Sequence, residues 1–261
     1  MFAVMGALRE EMDGLKKLIT VEETLIRYGR PIYSGTKGKQ EILLVQTGLG
    51  RQHAEETTSY IAKYFPLDGI VSIGFGGALA PYLAAGDLVL CAQILRKDRH
   101  GVGAVCSSSR DLLALASEAL EGGTIPFVSG SCLTANGVVG EPRVKRALGE
   151  ASGAQLVDME SYWISKTASL FQIPFLAVRA VSDSLLQTLP PFDRFVRPEG
   201  DWDWQRAGLH FVSHPGQLGL LPGLLVGSRR AARSLTYLVE RLLARLASRL
   251  AQAERAGAVP Q

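Results

Sequence analysis

Residues 174–184 read PFLAVRAVSDS, a mostly apolar run that starts at Pro174 and stops on Ser182, Asp183 and Ser184. Short apolar runs bounded by Pro and small polar residues have the pattern of sheet strands buried on both faces. Such a strand delivers Ser182 and Asp183 at its C-terminal end, where a carboxyl is partly desolvated and can hold a raised pKa, as a general acid working near neutrality requires. Taken alone, Asp183 reads equally well as a turn residue.

Five further runs share the pattern: EILLVQT at 41–47, GIVSIG at 69–74, DLVLC at 87–91, TIPFVS at 124–129 and, at the start, FAVMGA at 2–7. After the first, a polar turn with Arg9, Glu10 and Glu11 leads into an amphipathic segment through Leu15, Leu18 and Ile19. Helical periodicity occupies 51–65, 110–121, 141–150 and 158–172. The alternation of strand and helix predicts an α/β fold of three layers, α/β/α, around a central mixed, mainly parallel sheet. Ligands in such folds gather where strands end and loops begin.

At 261 residues with 47% hydrophobic residues, the chain can bury one full core. The expected organisation is a catalytic core over 1–188, with 189–261 as an insertion and C-terminal helix of the same domain. The net charge of +3 is local: residues 228–255 carry seven Arg against Glu240 and Glu254, which leaves the remainder slightly acidic. Nothing before that segment spreads cations over a face as a nucleic-acid binder does, so no nucleic acid is expected as a partner. Cys91, Cys106 and Cys132 form no C-x-x-C pair and meet no His at metal spacing. They read as small buried thiols, and no metal or cofactor is expected. The start, MFAVMGALREEM, has no positive flank and too short an apolar run for a signal peptide, and no stretch reaches the roughly 18 apolar residues of a membrane span. The expected location is cytoplasmic.

Three other segments are candidates for chemistry. Gly74, Gly76 and Gly77 in VSIGFGGALAP follow a buried strand, where glycine lets the backbone approach a ligand and present its amides. A dinucleotide fingerprint needs G-x-G-x-x-G opening a helix, whereas Pro81 and another strand follow here. TGLG at 47–50 is a second strand ending in glycines. LVDMES at 156–161 runs a short strand into a helix, and its acids Asp158 and Glu160 suit either a ligand or the helix N-terminus itself.

The order GALREE, TGLG, GFGGALAP with Gly86-Asp87, VDMES and VRAVSD resembles the nucleoside phosphorylase and nucleosidase superfamily, above all its methylthioadenosine and S-adenosylhomocysteine nucleosidases. The resemblance covers about residues 1–188. It implies that Asp183 donates a proton to purine N7, steadied by Ser182. Glu160 then binds a ribose hydroxyl, Met159 packs against the sugar, and Glu11 orients the attacking water. The base-binding segment corresponds to SGSCLTANGVV at 129–139, with Val138 near a position where the nucleosidases carry Phe. Gly74 and Phe75 border the substrate. Adenine is the implied base, because an Asp facing N7 goes with 6-aminopurines in that family.

Phosphorylases of the superfamily place Arg and Ser near positions that are Ser72 and Phe75 here, so the resemblance leans toward water as the nucleophile. Phosphate remains the alternative, with Arg9 and Arg51 as candidate ligands. A non-catalytic nucleoside-binding scaffold is the alternative outside enzymes.

The remainder departs from the small-substrate nucleosidases. Residues 190–222 hold five of the twelve prolines together with Trp202, Trp204, His210 and His214, and read as a loop-rich insertion. From Ser228 to Gln252, Leu235, Leu238, Val239, Leu242, Leu246 and Leu250 share one helical face, while Arg241, Arg245 and Arg249 recur every four residues on the other. The tail resembles the hopanoid-associated branch, whose implied substrate is adenosylhopane, a lipid-linked purine nucleoside. Phe192, Phe195, Trp202, Trp204, Leu220, Leu221, Leu224 and Leu225 are candidates for an apolar route, and the basic helix for peripheral contact with anionic headgroups. The helix suits equally a cover over its own core or over a partner. Relatives imply a homodimer.

Overall fold

The computed structural model describes residues 1–98, 101–195 and 203–255. In chain order its elements are β1 (Phe2–Gly6), α1 (Arg9–Met12), β2 (Thr20–Arg27), β3 (Arg30–Lys37), β4 (Gln40–Gln46), α2 (Arg51–Tyr64), β5 (Gly69–Ala78), β6 (Leu88–Asp98) and β7 (Gly101–Ser107). There follow α3 (Arg110–Leu120), β8 (Phe127–Thr134), α4 (Pro142–Ser152), β9 (Leu156–Asp158), α5 (Ser161–Leu170), β10 (Phe175–Asp183), α6 (Trp204–Ser213) and α7 (Leu221–Arg255).

The strands form one mixed sheet in the order β10-β6-β8-β9-β5-β1-β4-β3-β2, with β7 on β6 and a further pairing of β10 with β5. Because β10 joins both β5 and β6 while β9 joins both β5 and β8, strands β5, β10, β6, β8 and β9 close on themselves. The parallel pairings are β1 with β4 and β5, β5 with β10, and β8 with β6 and β9; the β2–β3–β4 meander is antiparallel.

Alternation of side chains explains the layers. Val4, Ile42, Leu44, Val71, Ile73, Leu176 and Val178 face one core with α3 and α7. Their neighbours Ala3, Met5, Leu43, Val45, Ile70, Phe175 and Ala177 face the opposite core with Ala54 and Ile61 of α2 and Trp163, Ile164 and Ala168 of α5. Strands covered on both sides are mostly apolar, which is the pattern their sequences carry.

The long C-terminal helix belongs to the first of these cores. Leu235, Leu238, Val239 and Leu243 of α7 are fully buried there, each worth up to about 1.5–3 kcal/mol in apolar burial. Its arginines are engaged by the protein: the Arg241 guanidinium donates to the carbonyls of Ala119 and Glu121, Arg245 to that of Glu118 (3.4 Å), and Arg249 meets the Glu118 carboxylate at 3.0 Å. These groups close the C-terminus of α3, where exposed carbonyls and the helix dipole favour cations.

Two readings need correction. The segment read as loop-rich contains α6, and α7 begins at Leu221, seven residues before Ser228. Prolines fit because Pro215 and Pro222 occupy first-turn positions, where no amide donor is required. The strand read at 124–129 lies at 127–134, so half of the expected base-binding segment is strand.

Candidate active site

Glu11 closes the single turn of α1 after β1, and its carboxylate is held entirely by backbone amides. Oε2 accepts from Ala7 N (2.7 Å) and Leu8 N (2.9 Å), and Oε1 accepts from Phe75 N (2.9 Å). Gly74 leaves room at that approach, since a Cβ there would stand 3.1 Å from Oε1 and press on the carboxylate. Burial pushes the Glu11 carboxyl above its ordinary value, opposed by these amides and by Arg179.

Glu160 stands at the start of α5 and lines the same narrow cleft, together with Gly6, Ala7, Thr47, Ser72, Gly74, Phe75 and Arg179. Its Oε1 accepts from Gly50 N at 2.7 Å. Gly50 has φ 90° and ψ 173°, a conformation open essentially to glycine, and this turns the amide toward the acid. Burial, then the charge of Asp158, push Glu160 up to about 8. Among the described residues no hydrogen bond reaches its second oxygen, which remains available to a ligand.

Asp158 does not serve the cleft directly. It accepts from Ser161 N (2.9 Å), Thr134 Oγ1 (2.7 Å) and Arg179 Nε (2.8 Å), so it caps α5 and binds the buried arginine. Burial pushes it up, but the Arg179 guanidinium and these bonds outweigh that and hold it below the usual carboxylate value. Arg179 directs three further donors at the Ser72 carbonyl and hydroxyl, each at 3.0 Å, and at the Val178 carbonyl. Neither Arg179 nor its pairing was anticipated; a charged residue inside an otherwise apolar strand was the available signal.

Asp183 lies at the end of β10. The register between β10 and β5 slips at Ser182, pairing Val181 with Gly76 and Asp183 with Gly77, and such a bulge re-aims the side chain that follows. The carboxylate accepts from Ser182 Oγ (2.6 Å) and from Lys145 Nζ (2.5 Å), the latter on α4. It is buried and lines neither the cleft of Glu11 and Glu160 nor the larger groove beside it. Lys145 was missed, because a lysine in the middle of an amphipathic helix reads as a solvated residue. The helix α7 touches this point too: a Cβ on Gly227 would stand 2.0 Å from the Ser182 carbonyl oxygen.

The groove has a volume of about 710 Å³ and is lined by Val138, Val139, Val144, Leu189, Pro190 and Leu220, with Lys97, Asp98 and Glu141 among its polar groups. It brings the expected base-binding residue Val138 against α4 and the segment after β10. Met159, half-buried, lies in the bend between β9 and α5. The proposed apolar route does not form one wall. Phe195 is buried against His210 and Phe211, Leu225 is half exposed, and of the described candidates only Leu220 lines the groove. Trp202 and the side chain of Trp204 lie outside the described residues. Arg9 and Arg51, the candidate phosphate ligands, are largely exposed and paired with Asp13 and Glu55.

This arrangement gathers a backbone-held carboxylate, a second carboxyl with an open oxygen, and a third acid paired with a cation, all at strand ends bordered by glycines. A curated 5'-methylthioadenosine/S-adenosylhomocysteine nucleosidase of Staphylococcus aureus (strain JH9) is 26% identical over 197 residues, 70% of this chain and 86% of the relative. The fold matches a nucleosidase of the same name from Neisseria meningitidis solved with methylthio-immucillin-A (TM-score 0.72, 19% identity, 92% of this chain and 97% of that one). It also matches futalosine hydrolase of Helicobacter pylori (TM-score 0.70, 21% identity, 91% and 96%). The family model of the phosphorylase superfamily matches residues 1–197, and the chain belongs to that superfamily.

Proposed function

We propose that the chain hydrolyses the N-glycosidic bond of an adenine nucleoside. The observation that carries this reading is the charge of the site. Four acids, Glu11, Asp158, Glu160 and Asp183, are buried around two cations, Arg179 and Lys145, each already paired with one of them. A sugar that becomes cationic as its bond to the base stretches is stabilised by the carboxylates of this cluster, Glu160 adding its charge as pH rises through about 8, and more strongly than the neutral ground state.

In this reading Glu160 takes a ribose hydroxyl on its open oxygen, and Glu11 orients a water for attack on the sugar. Asp183 returns a proton to the purine, so that the base leaves neutral. Water is favoured over phosphate because Arg179 and Lys145 are already paired with Asp158 and Asp183, and the candidate phosphate ligands Arg9 and Arg51 lie exposed and paired with Asp13 and Glu55.

The nucleoside we propose carries a large apolar substituent, adenosylhopane being the case implied by the resemblance of the tail. A groove of about 710 Å³ lined by eight apolar side chains supports this. Methylthioadenosine and S-adenosylhomocysteine are the smaller alternatives, prompted by the relatives. Adenine release from each of the three, with and without phosphate, tests the proposal. Turnover that requires phosphate and yields ribose 1-phosphate would refute hydrolysis, and rapid turnover of methylthioadenosine with none of adenosylhopane would refute the lipid-linked substrate.

A further inference from the structure

Lys145 is fully buried, yet it sits one residue after Val144, which lines the groove. Its ammonium has three acceptors for three protons: Asp183 Oδ2 at 2.5 Å, the Ser184 carbonyl at 2.9 Å and the Gln187 carbonyl at 3.0 Å. Asp183 in turn receives one donor on each oxygen, the second being the Ser182 hydroxyl. Both oxygens of Asp183 thus act as acceptors, and the ionisable donor in contact with them is Lys145 Nζ. General acid chemistry at Asp183 therefore needs a proton source within hydrogen-bond reach, and a serine hydroxyl is far too weak an acid to be one.

We propose that Lys145 is the positioning residue of the acid and shares one proton with it, an inference that rests on the nucleosidase reading. The Nζ–H bond breaks as an Oδ2–H bond forms, which leaves a neutral amine beside a neutral carboxylic acid. The amine keeps two N–H groups for the carbonyls of Ser184 and Gln187, and its lone pair accepts from Asp183. The Oδ2–H bond then breaks as N7–H forms, and the glycosidic electron pair moves into the purine ring. The amine recovers its proton from solvent after product leaves. Burial and the two carbonyls fix the amine throughout, and they also tether the segment that continues into Thr188 and Leu189 of the groove.

The charged groups around the pair come from several elements. Glu141 precedes α4 and Arg143 and Arg146 lie on it, Arg179 on β10 is neutralised by Asp158 of β9, and Asp87 precedes β6 with its carboxylate on the Ala84 amide. Arg230 of α7 packs over Gly86. Glu160, pushed up to about 8, gives activity that rises with pH, opposite in sense to loss of the acid's proton.

The test measures kcat and KM for adenine release from methylthioadenosine and adenosylhopane between roughly pH 5.5 and 9.5, using the full chain. In the wild type the descending limb of kcat should lie above about pH 8.5, since an isolated carboxylic acid would lose its proton well before that. Lys145→Met should bring that limb down by at least about one unit, with roughly tenfold loss of kcat at pH 8.5 and little change in KM. In the Asp183→Asn background the same substitution should add nothing. Lys145→Arg should also fail, because a guanidinium keeps the charge but does not release a proton. A wild-type descending limb below pH 7, Lys145→Arg with full kcat, or Lys145→Met losing the same factor at every pH would overturn the inference. Should Lys145→Met not fold, Lys145→Gln keeps donors for the two carbonyls, and the wild-type limb decides independently. A wild type active with unaltered Lys145 variants refutes the inference alone, whereas no adenine release from either nucleoside refutes the underlying reading and the inference with it.

Discussion

Replacing Glu160 by Gln removes a charge while leaving an amide oxygen for Gly50 N, which now bonds Oε1 at 2.7 Å. At about 4 Å, a full carboxylate facing a full sugar cation contributes ~4 kcal/mol with an effective dielectric of about 20. A cation developed only in part retains ~3 kcal/mol of this, a loss of roughly 10²-fold in kcat. The loss must depend on pH, because burial and Asp158 raise the carboxyl to about 8 in the free protein. Only about a tenth of it is ionised at pH 7 and about nine tenths at pH 9, so wild-type kcat/KM climbs through that interval and the variant stays flat. The ratio between them should widen about tenfold from pH 7 to pH 9. Initial rates of adenine release across this range provide the assay. A variant within threefold of wild type at pH 9, or one that keeps the climb, would show that Glu160 does not act as a charge on the sugar.

The Glu11→Gln variant should lose ~10²-fold or more in kcat and also ~1–3 kcal/mol of stability, since an amide NH2 would face backbone donors that now share the carboxylate; chemical denaturation with rate measurements separates the two. Gly227→Val should lower the melting temperature and reduce activity together, because its Cβ would fall on the Ser182 carbonyl beside the acid; a fully active, equally stable variant would refute that close approach. Stability from the protonated Glu160 is complete below its unfolded value of about 4.5 and is lost as pH rises through about 8. Calorimetric melting should therefore be lower at pH 8.5 than at pH 5.5, and Glu160→Gln should flatten that slope.

Much of this was legible. Strands β1, β4, β5 and β10 are apolar because both faces are covered, and their glycine and acid endings marked the cleft where Glu11, Glu160, Gly74 and Phe75 meet. The β2–β3 hairpin escaped notice because it lies at the edge of the sheet, with β2 mostly exposed and little apolar pattern. Its turn was nonetheless encoded in Tyr28-Gly29, whose φ values of 50° and 74° give the two left-handed residues of a tight hairpin. The fate of the arginines on α7 was illegible for another reason. A stripe of cations is the same in sequence whether it faces headgroups or the carbonyls of a neighbouring helix, and only tertiary packing put Arg241, Arg245 and Arg249 over the end of α3. Lys145 belongs to this class as well, since its role depends on a carboxylate 38 residues away.

The two cations of the site illustrate why pairing alone does not decide chemistry. Arg179 and Lys145 are both buried and both salt-bridged, at 2.8 Å and 2.5 Å. Arg179 meets an acid that is also capped by Ser161 and Thr134, which favours permanent ionisation, and a guanidinium has no accessible neutral form. Asp158 and Arg179 therefore form a fixed dipole whose carboxylate end raises Glu160. Lys145 meets an acid supported by a single hydroxyl, and an amine can exist neutral in a buried place. One ion pair sets the field of the cleft; the other ties the end of β10 to α4 and, through the carbonyls of Ser184 and Gln187, to the segment that follows.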